Sequence, residues 1–413
     1  MKKRIAAVGS ILAVLACPAA AFVTFGAADP SDAQIVQEGS SAGEDEKSAD
    51  SKEADKLVGV FLSGKASDIH CASIARRIGM KLDENGYLSE AYYAEEDQTL
   101  QNEQIREFLE KEADVPALIV KTPDPFGASD VFSEIDLPLF SFDRLMMDTA
   151  SVSWYISFDY LKAGKLLAET LVERIGLEQL RSEADFRTIE FLMGSPDDVS
   201  ALFFYNGMMQ VLEPYLTDGT LKCLSGRLSF EETAVTNEQE DLGMDMLEEI
   251  LYEHYRTDQP DILISFRENL AIAACALLRE EGRKPDPEAK TYIVSTATDA
   301  PAIKAVAEGE LGFCVFLDDF SLGEICAETV CKILEDEKLE DYDYTHYDNG
   351  KKLIRTVTCE GELIDIHNYQ MLVDRGCFRE SDVAPEREVM ESVIPFPSVV
   401  LTQDGGMGFA HGL

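Results

Sequence analysis

The chain has 413 residues, 46% hydrophobic and 28% charged, a globular composition too long for one ordinary core, so two domains are expected. Against 36 Lys+Arg stand 78 Asp+Glu, a formal net charge of -42. So acidic a chain is repelled by phosphate backbones and anionic headgroups, which argues against nucleic acid as a partner and accords with a soluble, heavily charged surface.

The first residues carry a targeting signal. Lys2, Lys3 and Arg4 precede the apolar run Ile5 to Ala16 and then Cys17, the order of a secretory signal. Val14-Leu15-Ala16-Cys17 resembles a bacterial lipobox, with Cys17 as the residue to be lipidated; Leu15 at the second position and Pro18 after the cysteine depart from that pattern. Two other readings stand beside it: ordinary cleavage at Ala19-Ala20-Ala21, or an uncleaved membrane span over Ile5 to Ala28. All three make residues 1–28 a signal or anchor and put the body outside the cytoplasm. Residues 29–56 are rich in Ser, Ala, Glu, Asp and Lys and lack aromatics, so they read as a disordered acidic tether. Of the 9 cysteines, the eight besides Cys17 are scattered with no CxxC pair and no His at zinc spacing, which points to buried free thiols.

From Leu57 the pattern is regular. Leu57 to Leu62 reads as a buried strand ending in Ser63-Gly64-Lys65, and Cys71 to Asn85 as a helix stopped by Gly86. Leu88 to Tyr93, Ala117 to Val120 and Leu139 to Phe142 are further strands, with a helix over Thr99 to Lys111. The rhythm restarts after Ala150: strands at Ser153 to Ser157, Thr188 to Met193, Ile262 to Ser265 and Thr291 to Ser295. Helices are expected over Leu161 to Ile175, Ala201 to Leu216, Leu242 to Tyr255 and Asn269 to Glu281. Strand and helix alternate as in parallel βαβ units, giving two α/β lobes of similar size. Ligands of open α/β sheets bind outside the carboxyl ends of the strands. The loops of interest are therefore Ser63–His70, Asp143–Arg144, Gly194–Ser200, Phe266–Asn269 and Thr296–Asp299.

One motif misleads. Gly59 to Lys65 fits the start of a phosphate-binding loop, but Ala66 stands where a magnesium-holding hydroxyl belongs and Gly59 lies inside the strand.

Four motifs carry a resemblance: Phe142-Asp143-Arg144-Leu145, Ile156-Ser157-Phe158-Asp159, Gly194-Ser195-Pro196-Asp197-Asp198 and Phe203-Phe204-Tyr205-Asn206-Gly207. Asp299-Ala300-Pro301 and Asp348-Asn349-Gly350-Lys351 extend it. The chain resembles the multiple-sugar and xylose-binding branch of the type I periplasmic sugar-binding proteins, from about Leu57 to Asp382. The resemblance implies an α/β fold of two Rossmann-like lobes joined by three crossover strands, working as a monomer, without cofactor or catalysis. It implies capture of a monosaccharide-like ligand in the interlobe cleft and delivery to the membrane permease of an ABC importer; the alternative is the same fold turned into a chemosensory or protein-interaction module. Lobes are expected at 57–150 plus about 300–340 and at 151–299 plus about 341–382, with a C-terminal tail over 383–413.

Carried over by motif, the ligand-binding residues are Lys65, Asp143, Arg144, Asp198, Ser200 and Asp299. His70 stands where the family has a stacking aromatic, and Arg267 where it has a pocket Asn. The added Arg267 suggests an anionic or more polar ligand, such as a sugar acid or sugar phosphate. Asp159 is read as a helix N-cap, and Phe203 and Phe204 as core and interlobe packing.

Overall fold

The computed structural model describes residues 56–386 apart from Ala128, Glu134, Thr257 and residues 281–290, together with Val400–Leu401 and Met407–Gly408. The targeting segment with Cys17, the tether up to residue 55 and most of the C-terminal tail lie outside the described residues.

Strands β1 (Leu57–Leu62), β2 (Leu88–Tyr93), β3 (Leu118–Val120), β4 (Leu139–Phe142) and β5 (Val152–Phe158) make one sheet. A second sheet holds β6 (Arg187–Leu192), β7 (Leu221–Lys222), β8 (Ile262–Ser265), β9 (Tyr292–Ala297) and β10 (Phe313–Phe316). β11 (Arg355–Cys359) then joins the first sheet beside β5, and β12 (Glu362–Asp365) joins the second beside β10. The orders are β11-β5-β4-β3-β1-β2 and β12-β10-β9-β8-β6-β7. Every pairing within these sheets is parallel except β10 with β12. Helices cover both faces, so β3, β4, β8 and β10 bury every residue, as their unbroken apolar runs require.

The sheets correct the lobe boundaries. β5 pairs with β4 (Phe142↔Ile156), so the restart after Ala150 is not a change of lobe. Phe313–Phe316 lies in the second sheet, not the first, and Arg355–Cys359 in the first, not the second. The chain passes between lobes three times: between Phe158 and Tyr160, between Phe316 and Asp319, and between Cys359 and Glu362. After the second passage the helix Asp319–Leu334 packs on the helix Ile69–Glu84 of the first lobe. Strand rhythm reports where strands are, not which sheet they join, and that is why the boundaries move.

Two glycines set the packing beside the first passage. The helices Tyr160–Ile175 and Val199–Asp218 cross with their backbones in contact. A Cβ on Gly164 would come within 2.0 Å of the Phe204 carbonyl oxygen, and one on Gly207 within 2.0 Å of that of Leu161. Gly59, the first glycine of the misleading motif, is likewise a packing residue: a Cβ there would meet Phe108, Phe61 and Leu118 at 2.7, 2.8 and 2.9 Å.

The helices that leave the carboxyl ends of β1, β2, β5, β6, β9 and β10 all begin with an aspartate: Asp68, Asp97, Asp159, Asp198, Asp299 and Asp318 each accept a backbone N–H at the N-cap. A short carboxylate there satisfies an orphan donor and complements the positive end of the helix dipole. The same device makes the ends of the strands acidic.

Candidate functional site

The carboxyl ends of both sheets face one another across a cleft of about 960 Å³. All five loops expected from the sequence contribute to it, through Ser63 and His70, Asp143 and Arg144, Asp198 and Ser200, Arg267, and Asp299. Lys65 does not: it is exposed and outside the lining, its carbonyl closing the turn to the Asp68 N–H at 3.0 Å.

Asp143 is the centre of the first lobe's wall. It has a left-handed backbone, φ 59°, which Asp tolerates better than most residues, and its N–H donates to the Ile156 carbonyl at 2.7 Å. Its own carbonyl accepts from Tyr155 Oη at 2.9 Å. The carboxylate pairs with Lys121 Nζ at 2.6 Å and accepts from Tyr160 Oη at 3.2 Å. Burial alone would raise its pKa, but the Lys121 charge and hydrogen bond leave it lowered. Burial likewise works against the Lys121 ammonium, and Asp143 outweighs it, leaving Lys121 firmly protonated.

Arg144 donates to the Pro123 carbonyl and approaches Asp197 of the other lobe at 3.8 Å. His70 pairs with Asp319 at 3.1 Å, with its ring 5.2 Å from that of Phe320. Burial disfavours the charged imidazole, and the Asp319 hydrogen bond and charge raise its pKa nonetheless.

On the second lobe, Asp198 is buried at an N-cap, its Oδ1 accepting from Ser200 N at 2.8 Å while Oδ2 meets Arg267 at 3.3 Å. Arg267 Nε lies 2.9 Å from Glu238 Oε2, and the guanidinium covers the Phe266 ring. Burial keeps the Asp198 pKa raised despite Arg267. Asp299 caps its helix through Ala302 N at 3.3 Å, and burial, then the Glu268 charge, push its pKa up to about 6. Glu268 Oε1 accepts from Thr298 N and Oγ1 at 3.1 and 2.6 Å.

Two lining side chains hold buried polar atoms without a partner: Arg144 Nε and Glu268 Oε2. The set contains a donor and an acceptor, and native interiors leave few such atoms without a reason. Tyr160 and His70 are the only aromatic side chains among the described lining residues. Phe204 is fully buried against Phe266, and Phe203 packs on Tyr347 at 5.1 Å, as expected of packing residues. Trp154 is buried in β5.

Sequence reasoning missed several residues of the wall. Lys121 and Thr122 directly follow β3, and Glu96 and Gln98 follow β2, so the strand-end rule reaches them once those exits are counted. Glu238 comes from a turn in which Asn237 and Glu238 both have positive φ, 52° and 55°, and no local pattern marks it. Arg267 is placed as expected, but its charge is met by Asp198 and Glu238, so it is not free to hold an anion as the sequence suggested.

A family model described as a periplasmic binding protein domain matches residues 58–338. The chain belongs to this family. Its fold is the type I arrangement of two parallel-sheet α/β lobes. The multiple sugar-binding periplasmic receptor ChvE of Rhizobium radiobacter is 26% identical over 333 residues, covering 80% of this chain and 92% of that protein. The multiple sugar-binding periplasmic protein SbpA of Azospirillum brasilense is 28% identical, covering 72% and 82% respectively. An ABC transporter solute-binding protein from Clostridium phytofermentans, solved with bound β-D-glucose, superposes with a TM-score of 0.71 at 23% identity, covering 79% of this chain and all of that one. These relatives are of the sugar-binding branch to which the motifs pointed.

Proposed function

We propose that the protein captures a monosaccharide or similar polyhydroxylated solute between its lobes, outside the cytoplasm, and delivers it to the permease of an ABC importer. The observation that carries this reading is the cleft lining: a buried donor on Arg144 and a buried acceptor on Glu268, both unpartnered, from the strand ends of the two sheets. A hydroxyl both donates and accepts, so a polyol ring can satisfy such a mixed set. Asp143 and Asp198 are tied to Lys121 and Arg267, an arrangement suited to holding oriented acceptors rather than to passing protons. The sugar-binding relatives support the same reading. The protein is a binding module, not an enzyme. Lys65 is left out of the proposed site; His70, Asp143, Arg144, Asp198, Ser200, Arg267 and Asp299 remain, joined by Lys121, Glu238 and Glu268. In this reading the body acts as a monomer tethered to the membrane by residues 29–56, through a lipid on Cys17 or a membrane helix.

Calorimetric titration of the protein with aldohexoses, aldopentoses and inositols tests it. Saturable binding to one class, one ligand per chain, is expected. Absence of binding across the panel would overturn sugar capture in favour of the fold turned to sensing or protein contact.

A further inference from the structure

Among the lining residues of the cleft, carboxylates outnumber fixed cations nine to three. The three cations are all engaged: Lys121 by Asp143, Arg144 by Asp197, Arg267 by Asp198 and Glu238. His70 is engaged by Asp319. Two carboxylates of the second lobe's wall have no cation among these pairs, Glu268 and Asp299, and they are neighbours. Thr298, next to Asp299 in the chain, donates both its N–H and its hydroxyl to Glu268 Oε1. That holds the Glu268 side chain fixed while Oε2 stays buried with no hydrogen-bond partner. Asp299 in turn is hard to ionise because burial and the Glu268 charge oppose it. A buried acceptor that carries charge and lacks a donor is costly, and a ligand cation placed there would relieve both the missing hydrogen bond and the repulsion.

We propose that the preferred ligand is an aminated sugar or polyol whose ammonium group sits against Glu268 and Asp299. The inference rests on the capture reading above and specifies its ligand. A carboxylate or phosphate ligand would face the same excess of negative charge with no free cation among the described lining residues to receive it. A neutral hydroxyl can donate to Glu268 Oε2 but leaves the charge uncompensated. The hydroxyl and the ammonium both donate to the carboxylate, but only the ammonium adds attraction between opposite charges, so the amine should bind about tenfold more tightly than the hydroxyl it replaces.

The test is calorimetric titration of the full chain at neutral pH with the 2-amino-2-deoxy forms of glucose, galactose and mannose. Each is compared with its parent hexose, its N-acetyl form and the corresponding uronic acid. At least one amino sugar is expected to bind about tenfold more tightly than its parent and its N-acetyl form, with the uronate weakest. A parent sugar that binds as tightly as its amine, or a uronate that binds best, overturns the amine inference and leaves sugar capture standing. Binding by none of the four classes overturns both. In Glu268→Gln the ratio of amine to parent affinity should fall towards one; an unchanged ratio contradicts the assignment to Glu268. Asp299→Asn gives a second reading of the same ratio, so a misfolded Glu268 variant does not decide the matter.

Discussion

Arg144, on the loop after β4, stands 3.8 Å from Asp197, on the loop after β6, so one ion pair joins the two lobes across the mouth of the cleft. Its side chains are 24% and 38% exposed, and such pairs are worth about 0.5 kcal/mol. The pair therefore biases closure rather than locking it. Asp197→Asn should weaken ligand affinity about twofold, with the difference shrinking at high salt, as titrations at two ionic strengths would show.

Arg267 has two buried or half-buried carboxylate partners, and its removal strands both. Arg267→Ala should lower stability by about 3 kcal/mol in urea denaturation. Arg267→Lys should recover only part of this, because one ammonium cannot reproduce a fork that reaches Asp198 and Glu238 together.

The contact between Gly207 and the Leu161 carbonyl leaves no room for a methyl group. Gly207→Ala should cost about 1–3 kcal/mol by urea denaturation, against the small gain usual for Gly→Ala in an open helix. Gly164→Ala, facing the Phe204 carbonyl in the same crossing, should behave alike.

Asp299 titrates at about 6 in the folded protein, above the ordinary carboxylate value, so the native state prefers it protonated. Its contribution is neutral below the unfolded value and becomes destabilising as pH rises through about 6. Asparagine can still cap the helix without the charge. Asp299→Asn should therefore stabilise the ligand-free protein above pH 6, by about 1 kcal/mol once partial exposure is allowed for, and the gain should vanish near pH 4. Thermal melts of both proteins across that range would check it.

Much of the fold is legible in the sequence because parallel strands buried on both faces leave continuous apolar runs, and because Asp marks the helix starts. The expected strand Ile262 to Ser265 matches β8, and the expected helix over Leu161 to Ile175 lies within Tyr160–Ile175. The lobe membership of β5, β10 and β11 is not legible, since it depends on pairings such as Trp154 with Arg355, far apart in the chain. The site divides the same way. Asp143, Arg144, Asp198 and Arg267 lie at strand ends and are found by rule. The neutralisation of Arg267 depends on Glu238, in a turn with no sequence signature, so an argument about ligand charge from Arg267 alone leaves out the carboxylates that already meet it.

The most direct test of solute capture between the lobes is thermal denaturation of the protein and of Asp143→Asn, each with and without the sugar and amino-sugar panel. A ligand bound only by the folded state must raise the midpoint. The wild-type midpoint should rise with at least one sugar, and the rise should be largely lost in Asp143→Asn, whose side chain no longer anchors Lys121 in the cleft wall. No rise with any sugar, or an equal rise in the variant, would contradict capture at this cleft.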